Sequence, residues 1–323
     1  MVICCTLACR AQESPVPVKK TGVTARGVQI PLNRLQPDAV FDVPGAPDWI
    51  AVDESVWISN KPRNNITRID PRSNRVMEVN PAGRQPCAGL AVGFGSLWVP
   101  NCGGQTLSRI DLHSGRVTAT IATAIADTEG SIAAGAGSIW LLTDRKSTLT
   151  RFDPATNRMA AEIPVASGSY AAAFGEDAIW VTSTLGNVLT RVDPRTNRVV
   201  DTIPVGPAPR FLAVGEGAVW TLNQGDGSVS RIDPRTNRVV ATIEVGVPGE
   251  GGDIAVGEGS VWVTSFDYPV SRIDPARNQV VQQFVGKGGD AIRVGHGSVW
   301  LSNLKAENMW RIDVRRLEGV RGE

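Results

Sequence analysis

Counted back nine or ten residues from seven evenly spaced tryptophans, the sequence presents side chains that could do chemistry together. Asp48, Asp253 and Asp290 occupy that register, with Glu129 and Glu250 beside it; Arg210 and Arg293 add positive charge, and Trp49, Tyr170 and Phe211 add rings. Five carboxylates, two arginines and three aromatics are the composition of a pocket for a polar small molecule or a peptide. The expected ligand-binding residues are Asp48, Trp49, Glu129, Tyr170, Arg210, Phe211, Asp253, Asp290 and Arg293. Carboxylate oxygens are also hard ligands, so Asp48, Glu129, Asp253 and Asp290 are the candidate set for a divalent cation, magnesium or calcium, though no fixed spacing links them.

Other catalytic signatures are absent. There is no His-Glu-x-x-His, no Gly-x-Ser-x-Gly elbow and no phosphate-binding glycine loop leading into a helix. The two histidines, His113 and His296, fall in turns and read as surface residues. The catalytic residues are therefore left open.

Such residues need a frame to hold them, and the tryptophans describe it. Trp57, Trp98, Trp140, Trp180, Trp220, Trp262 and Trp300 recur every 38 to 42 residues. A second phrase keeps step: Arg68-Ile69-Asp70, Arg109-Ile110-Asp111, Arg151-Phe152-Asp153, Arg191-Val192-Asp193, Arg231-Ile232-Asp233, Arg272-Ile273-Asp274 and Arg311-Ile312-Asp313. Within a repeat, Ile254-Ala255-Val256 reads as a first strand, Gly257 to Ser260 as its turn, and Val261-Trp262-Val263 as a second strand. Val270 to Ile273 is a third. In the clearest copy Asp233 to Arg238 has tight-turn chemistry, because proline fixes φ, aspartate bonds nearby backbone and asparagine tolerates a left-handed conformation. Val239 to Ile243 alternates as a fourth strand. Four strands and one aromatic at a period near 40 predict an all-β, seven-bladed β-propeller of four-stranded blades.

The last repeat lacks a fourth strand, whereas Ala39-Val40-Phe41-Asp42-Val43 is a spare strand ahead of the first repeat. The ring should therefore be closed by this N-terminal strand. The domain layout expected is 1–35, a leader and tether of mixed Pro, Lys, Gly and Ser, followed by a propeller over 36–319. The Gly-x-Gly-Ser and Asp-Pro turns share one face and barely vary. Loops on the opposite face differ between copies, which suits a binding surface on a rigid frame. They bring Lys61, Arg63, Asn101, Asp144, Arg145, Asn223, Gln224, Asp267, Asn303 and Lys305 towards the register described above, most of them read as solvated.

Cys87 and Cys102 lie on that variable face. If the hairpin turns at Phe94-Gly95 they sit opposite one another, so a cross-strand disulfide is geometrically allowed; two free thiols are the alternative. The other cysteines, Cys4, Cys5 and Cys9, crowd a short apolar stretch, Val2 to Ala8, which resembles the end of a secretory signal without its basic start, as a misplaced start codon would produce. Thr6-Leu7-Ala8-Cys9 approximates a lipoprotein box with Leu7 one place late, leaving lipidation at Cys9 or simple secretion. A periplasmic or secreted protein is expected on either reading. With 33 basic and 32 acidic residues, the chain lacks the excess that a nucleic-acid groove needs.

The phrase Ala-Val-Gly-x-Gly-x-Val-Trp-Val, followed by Ser-Arg-Ile-Asp-Pro-x-Thr-Asn-Arg-Val-Val, resembles bacterial seven-bladed propellers of the YVTN and virginiamycin B lyase-like (streptogramin lyase-like) groups over about residues 36–316. The resemblance implies the fold strongly and the activity weakly. Lyases of that group use channel-mouth His and Glu with magnesium, and neither His113 nor His296 matches such a position. A related metal-dependent lactonase would place carboxylates and asparagines on the channel. A quinone-dependent dehydrogenase is disfavoured, since those enzymes usually have eight blades and an adjacent-cysteine disulfide, whereas Cys4-Cys5 lies in the leader. The leading expectation is an exported, monomeric binding or interaction module for a small molecule, peptide or partner protein, touching a membrane only through a lipid on Cys9. The alternative is a virginiamycin B lyase-like lyase or a lactonase-type hydrolase.

Overall fold

Two turns per repeat decide how the chain folds. The computed structural model describes residues 19–126, 128–143 and 147–322. In the fifth repeat the strands are Pro209–Gly215, Ala218–Asn223, Ser228–Asp233 and Arg238–Glu244, hydrogen-bonded in sequence order. The first hairpin turns on Glu216 and Gly217, with φ of 49° and 69°. Left-handed conformation at both central positions matches the twist of paired strands, which explains the recurring glycine. The third turn places Asn237 at φ 55°, and the Asp233 carboxylate accepts from the Arg235 amide at 2.8 Å.

Seven such sheets form the ring, and their innermost strands contact one another in order around it. Each second strand is buried throughout, while the fourth alternates towards solvent. All seven repeat tryptophans are fully buried. The indole of Trp220 donates to the Gly215 carbonyl at 3.0 Å, and Trp98, Trp140, Trp180, Trp262 and Trp300 do the same to the equivalent glycine. Trp57 uses Asp53 Oδ1 instead, at 2.9 Å.

The repeated arginine joins blade to blade. Arg231 lies over the Trp220 ring at 5.1 Å and donates to the Pro275 carbonyl at 2.6 Å and to Asn278 Oδ1 at 2.8 Å, both in the next blade. Arg109, Arg151 and Arg191 repeat this contact, and Arg311 makes it to Pro71 and Asn74 across the closure. Arg68 reaches the His113 carbonyl, and Arg272 reaches Glu318 at 2.9 Å.

Closure follows the sequence reading. Strand β1 (Gln29–Pro31) precedes β2 (Ala39–Asp42), and β2 pairs antiparallel with Asn308–Asp313, Ala39 facing Arg311 and Asp42 facing Asn308. Phe41 is buried against Trp300, ring centroids 6.0 Å apart.

The tether expectation fails for residues 19–35. They follow the rim of the sixth blade: β1 adds a parallel fifth strand beside Gln279–Val285, and Ile30 and Leu35 are buried. Val23 donates to Gln283 Oε1 at 2.7 Å, and the Gly22 amide to the Gly246 carbonyl at 2.8 Å. Polar composition concealed this, because the docking uses backbone hydrogen bonds and two isolated apolar anchors rather than periodicity. At the other end, helix α1 (Val314–Gly319) is capped by Asp313 and buries Leu317. The leader expectations at Cys4, Cys5 and Cys9, and the loop residues Asp144 and Arg145, lie outside the described residues. Among the described residues no helix is long and apolar enough to cross a membrane.

Cys87 and Cys102 are joined as a disulfide, Cα atoms 5.8 Å apart. Near the turn Ala91 faces Trp98 and Gly93 faces Ser96, but the pairing has shifted by two at Pro86–Asn101, so the cysteines bond diagonally across the strands rather than directly opposite. A cross-link over 15 residues stabilises by about 3 kcal/mol through lost unfolded-state entropy. The Cys87→Ser/Cys102→Ser protein should lose roughly that amount in urea unfolding; equal midpoints for both proteins would contradict it.

Candidate functional site

The first residues of the inner strands converge on one end of the channel. Trp49 enters from the first blade, Tyr170 from the fourth and Phe211 from the fifth. The Trp49 and Phe211 centroids are 5.9 Å apart, and Tyr170 meets Phe211 edge-on at 6.0 Å. Gly130, on the third blade, makes the room. A Cβ there would lie 3.2 Å from Ala171 Cβ, 3.5 Å from the tip of Trp49 and 3.7 Å from Phe211, and its φ of 69° is left-handed. Rings from blades one and five thus meet opposite blade three, across the axis. Beyond them a cavity of about 300 Å³ runs along the inner strands, with Trp49, Phe211, Asp253 and Arg293 among its lining residues.

Two arginines hold the polar part. Arg210 pairs with Glu129, lies over Tyr170 at 4.7 Å and Phe211 at 5.3 Å, and donates to Gln224 Oε1 at 3.2 Å. Tyr170 Oη donates to Glu129 Oε2 at 3.3 Å. Arg293 pairs with Asp253 and lies over Trp49 at 5.8 Å. Asp253 is buried and also accepts the amides of Ile254 at 2.8 Å and Ile292 at 3.3 Å. Burial pushes its carboxyl up, and Arg293 and the two amides pull it back.

Asp48 and Asp290 lack such partners. No side-chain hydrogen bond to a cation or ion pair involves either among the described residues. Burial, then Glu129, raise Asp48 to about 7, against an opposing pull from Lys61 that exceeds the small further push from Asp253. Burial and the charges of Asp48, Glu129 and Asp253 raise Asp290 to about 8. Tyr170 is likewise pushed up by burial and by Glu129. Glu129 and Asp253 therefore act on both Asp48 and Asp290 across a single mouth.

They do not form a metal-ligand set. Among the described residues no three His, Cys, Asp or Glu side chains are grouped to hold an ion. Arg293 occupies Asp253 and Arg210 occupies Glu129, which leaves Asp48 and Asp290 too few to complete an oxygen cage. Magnesium or calcium at Asp48, Glu129, Asp253 and Asp290 would require Arg210 and Arg293 to release their carboxylates first. Glu250 is exposed, and both histidines lie in the invariant turns, His296 bonding the Asp53 carbonyl at 2.6 Å.

Several loop residues read as solvated are buried: Asn101, Asn223, Gln224 and Asn303. The three asparagines end second strands and Gln224 follows one, and they satisfy loop backbone or hydroxyls, as when Asn303 Oδ1 accepts the Gly289 amide at 2.8 Å. Arg63, Asp267 and Lys305 are exposed as expected. Sequence reasoning missed Thr128, which has no repeat counterpart to flag it, and the bracing role of Gln224. A cavity of about 100 Å³ is lined by Asp48, Lys61, Cys87, Thr128, Glu129 and Tyr170, with Ala88.

Fold and site together define a seven-bladed β-propeller with a charged mouth at one end of its channel. Among solved structures, a streptogramin B lyase superposes with a TM-score of 0.71 at 20% identity, covering 84% of this chain and 96% of that one. A virginiamycin B lyase from Staphylococcus aureus gives 0.73 at 16% identity, covering 85% and 98%. Hydrazine synthase from Kuenenia stuttgartiensis gives 0.70 at 15%, covering 85% and 97%. No family model and no curated protein matches the sequence. Lyase and synthase on one frame means that the likeness concerns fold alone.

Proposed function

We propose that this chain is an exported binding or interaction module that holds a small molecule, peptide or partner protein at the channel mouth of its variable face. One observation carries the reading: two partly buried carboxylates, Asp48 and Asp290, stand outside any ion pair among the described residues, beside an aromatic and arginine cluster, in a frame whose repeated arginines are paired. Uncompensated charge costs stability, and a complementary ligand offsets that cost. The Cys87–Cys102 cross-link supports an oxidising compartment.

A second reading, a lyase or hydrolase, has one observation in its favour. Carboxyl groups titrating near 7 and 8 suit proton transfer at neutral pH.

A thermal-shift screen of small molecules and short peptides against wild type and Arg210→Ala tests the reading. Ligands of the mouth should raise the melting temperature of wild type and not of the variant. Hits that stabilise both proteins equally would place binding elsewhere and overturn it. Conversion of a hit, followed by mass spectrometry and abolished in Asp48→Asn, would establish the enzyme instead.

A further inference from the structure

Resting on the reading above, we infer that the group recognised at the mouth is a protonated primary amine, seated in the small cavity between Asp48, Glu129 and Thr128. The cavity, about 100 Å³, has room for an ammonium head and little more. Its walls offer acceptors in the number that such a head needs, since an ammonium carries three donors and no acceptor. Asp48 has no side-chain hydrogen bond among the described residues. Glu129 gives Oε2 to Arg210 and Tyr170, leaving Oε1 for a ligand. Thr128 supplies the third acceptor: the residue is 4% exposed, and its Oγ1 is buried without any partner. A buried hydroxyl left unpaired is costly, and a donor arriving in this cavity would satisfy it.

Charge points the same way. Arg210 and Arg293 neutralise Glu129 and Asp253, so the unmatched charges facing the mouth are Asp48 and Asp290 against Lys61. An anion would find only Lys61 to pair with, whereas a cation favours the ionised form of Asp48 and Asp290 and draws their protons off. The Tyr170 ring beside the cavity favours a cation as well. The amine belongs either to a small free amine or to a peptide, through its terminus or a lysine.

Calorimetry with n-propylammonium, propanol and tetramethylammonium tests the inference on the intact protein. Propylammonium should bind, propanol should not, and tetramethylammonium, a cation without donors and with more bulk, should bind at least about tenfold more weakly. Asp48→Asn should weaken propylammonium by about tenfold or more, and Thr128→Val, which keeps the shape and removes the acceptor, by about threefold to tenfold. Melting curves confirm that both variants are folded. Triglycine against its N-acetylated form, and Nα-acetyl-lysine amide, distinguish a peptide source from a free amine. Equal binding of propylammonium and propanol, or affinity unchanged in both variants, would overturn the amine assignment. If the screen still yields Arg210-dependent ligands that are anionic or neutral, the mouth remains a binding site and only its chemistry is reassigned.

Discussion

Deleting residues 36–45 should abolish cooperative thermal unfolding near the wild-type temperature, or lower the midpoint by the largest margin of any change considered. The deletion strips the outer strand from Asn308–Asp313 and removes the Asp38 contacts to the Arg311 carbonyl and to the Asp313 amide. It also takes away buried Phe41 and Val43, exposing Met309 and one side of Trp300. Two buried apolar side chains and a strand of hydrogen bonds amount to on the order of 5–10 kcal/mol, as large as the net stability of many domains. Phe41→Ala is the milder version, expected to cost about 3–4 kcal/mol. A midpoint unchanged by the deletion would show that the ring does not depend on this strand.

The second large effect has the opposite sign. Asp48→Asn should stabilise the protein at alkaline pH, and so should Asp290→Asn. Each carboxyl is raised in the folded protein, from 3.8 to about 7 and to about 8. The folded state therefore holds protons more tightly than the unfolded chain. That contribution is complete below pH about 4 and is lost as pH rises through the folded values, between about 4 and about 8. At pH about 9 each amide should recover about 2–4 kcal/mol, with less than the sum for the double variant because each charge raises the other. The turn aspartates run the other way. Asp70, Asp153, Asp193 and Asp233 are held below their ordinary value chiefly by backbone amides, so their contribution is present above pH about 4 and lost on acidification. Urea midpoints should consequently peak in mildly acid buffer. A wild type that grows steadily more stable up to pH about 9, with Asp48→Asn parallel to it, would contradict both assignments.

The fold was legible because its signals are repeated. Trp220, Arg231 and Asp233 each have counterparts in every blade, and the spare strand at Ala39–Val43 had one place to go. The mouth was legible as a register: counting from each tryptophan placed Asp48, Tyr170, Arg210 and Asp253 at the same end of the channel. How those residues divide into pairs was not legible. Asp253 bonds the arginine of the next blade while Asp290 bonds none, a difference set by loop paths that carry no period. Thr128 was invisible for the same reason, and so was the docking of residues 19–35, which a handful of backbone hydrogen bonds and Ile30 decide. Nor did asparagine at the end of a second strand announce whether it faced water, as Asn303 illustrates.

The arginine bridge makes the blades interchangeable parts. The third, fourth and fifth repeats each carry both halves of the joint, a guanidinium for the blade ahead and a proline carbonyl with an asparagine for the blade behind. Exchanging the fourth repeat with the fifth would leave every joint around them chemically the same. Transplanting the second or the last would not, because Arg68 leans on a histidine carbonyl and Arg272 on the C-terminal helix. Designers wishing to shuffle this ring have three consecutive modules to work with, residues 132–244, and two seams to leave alone.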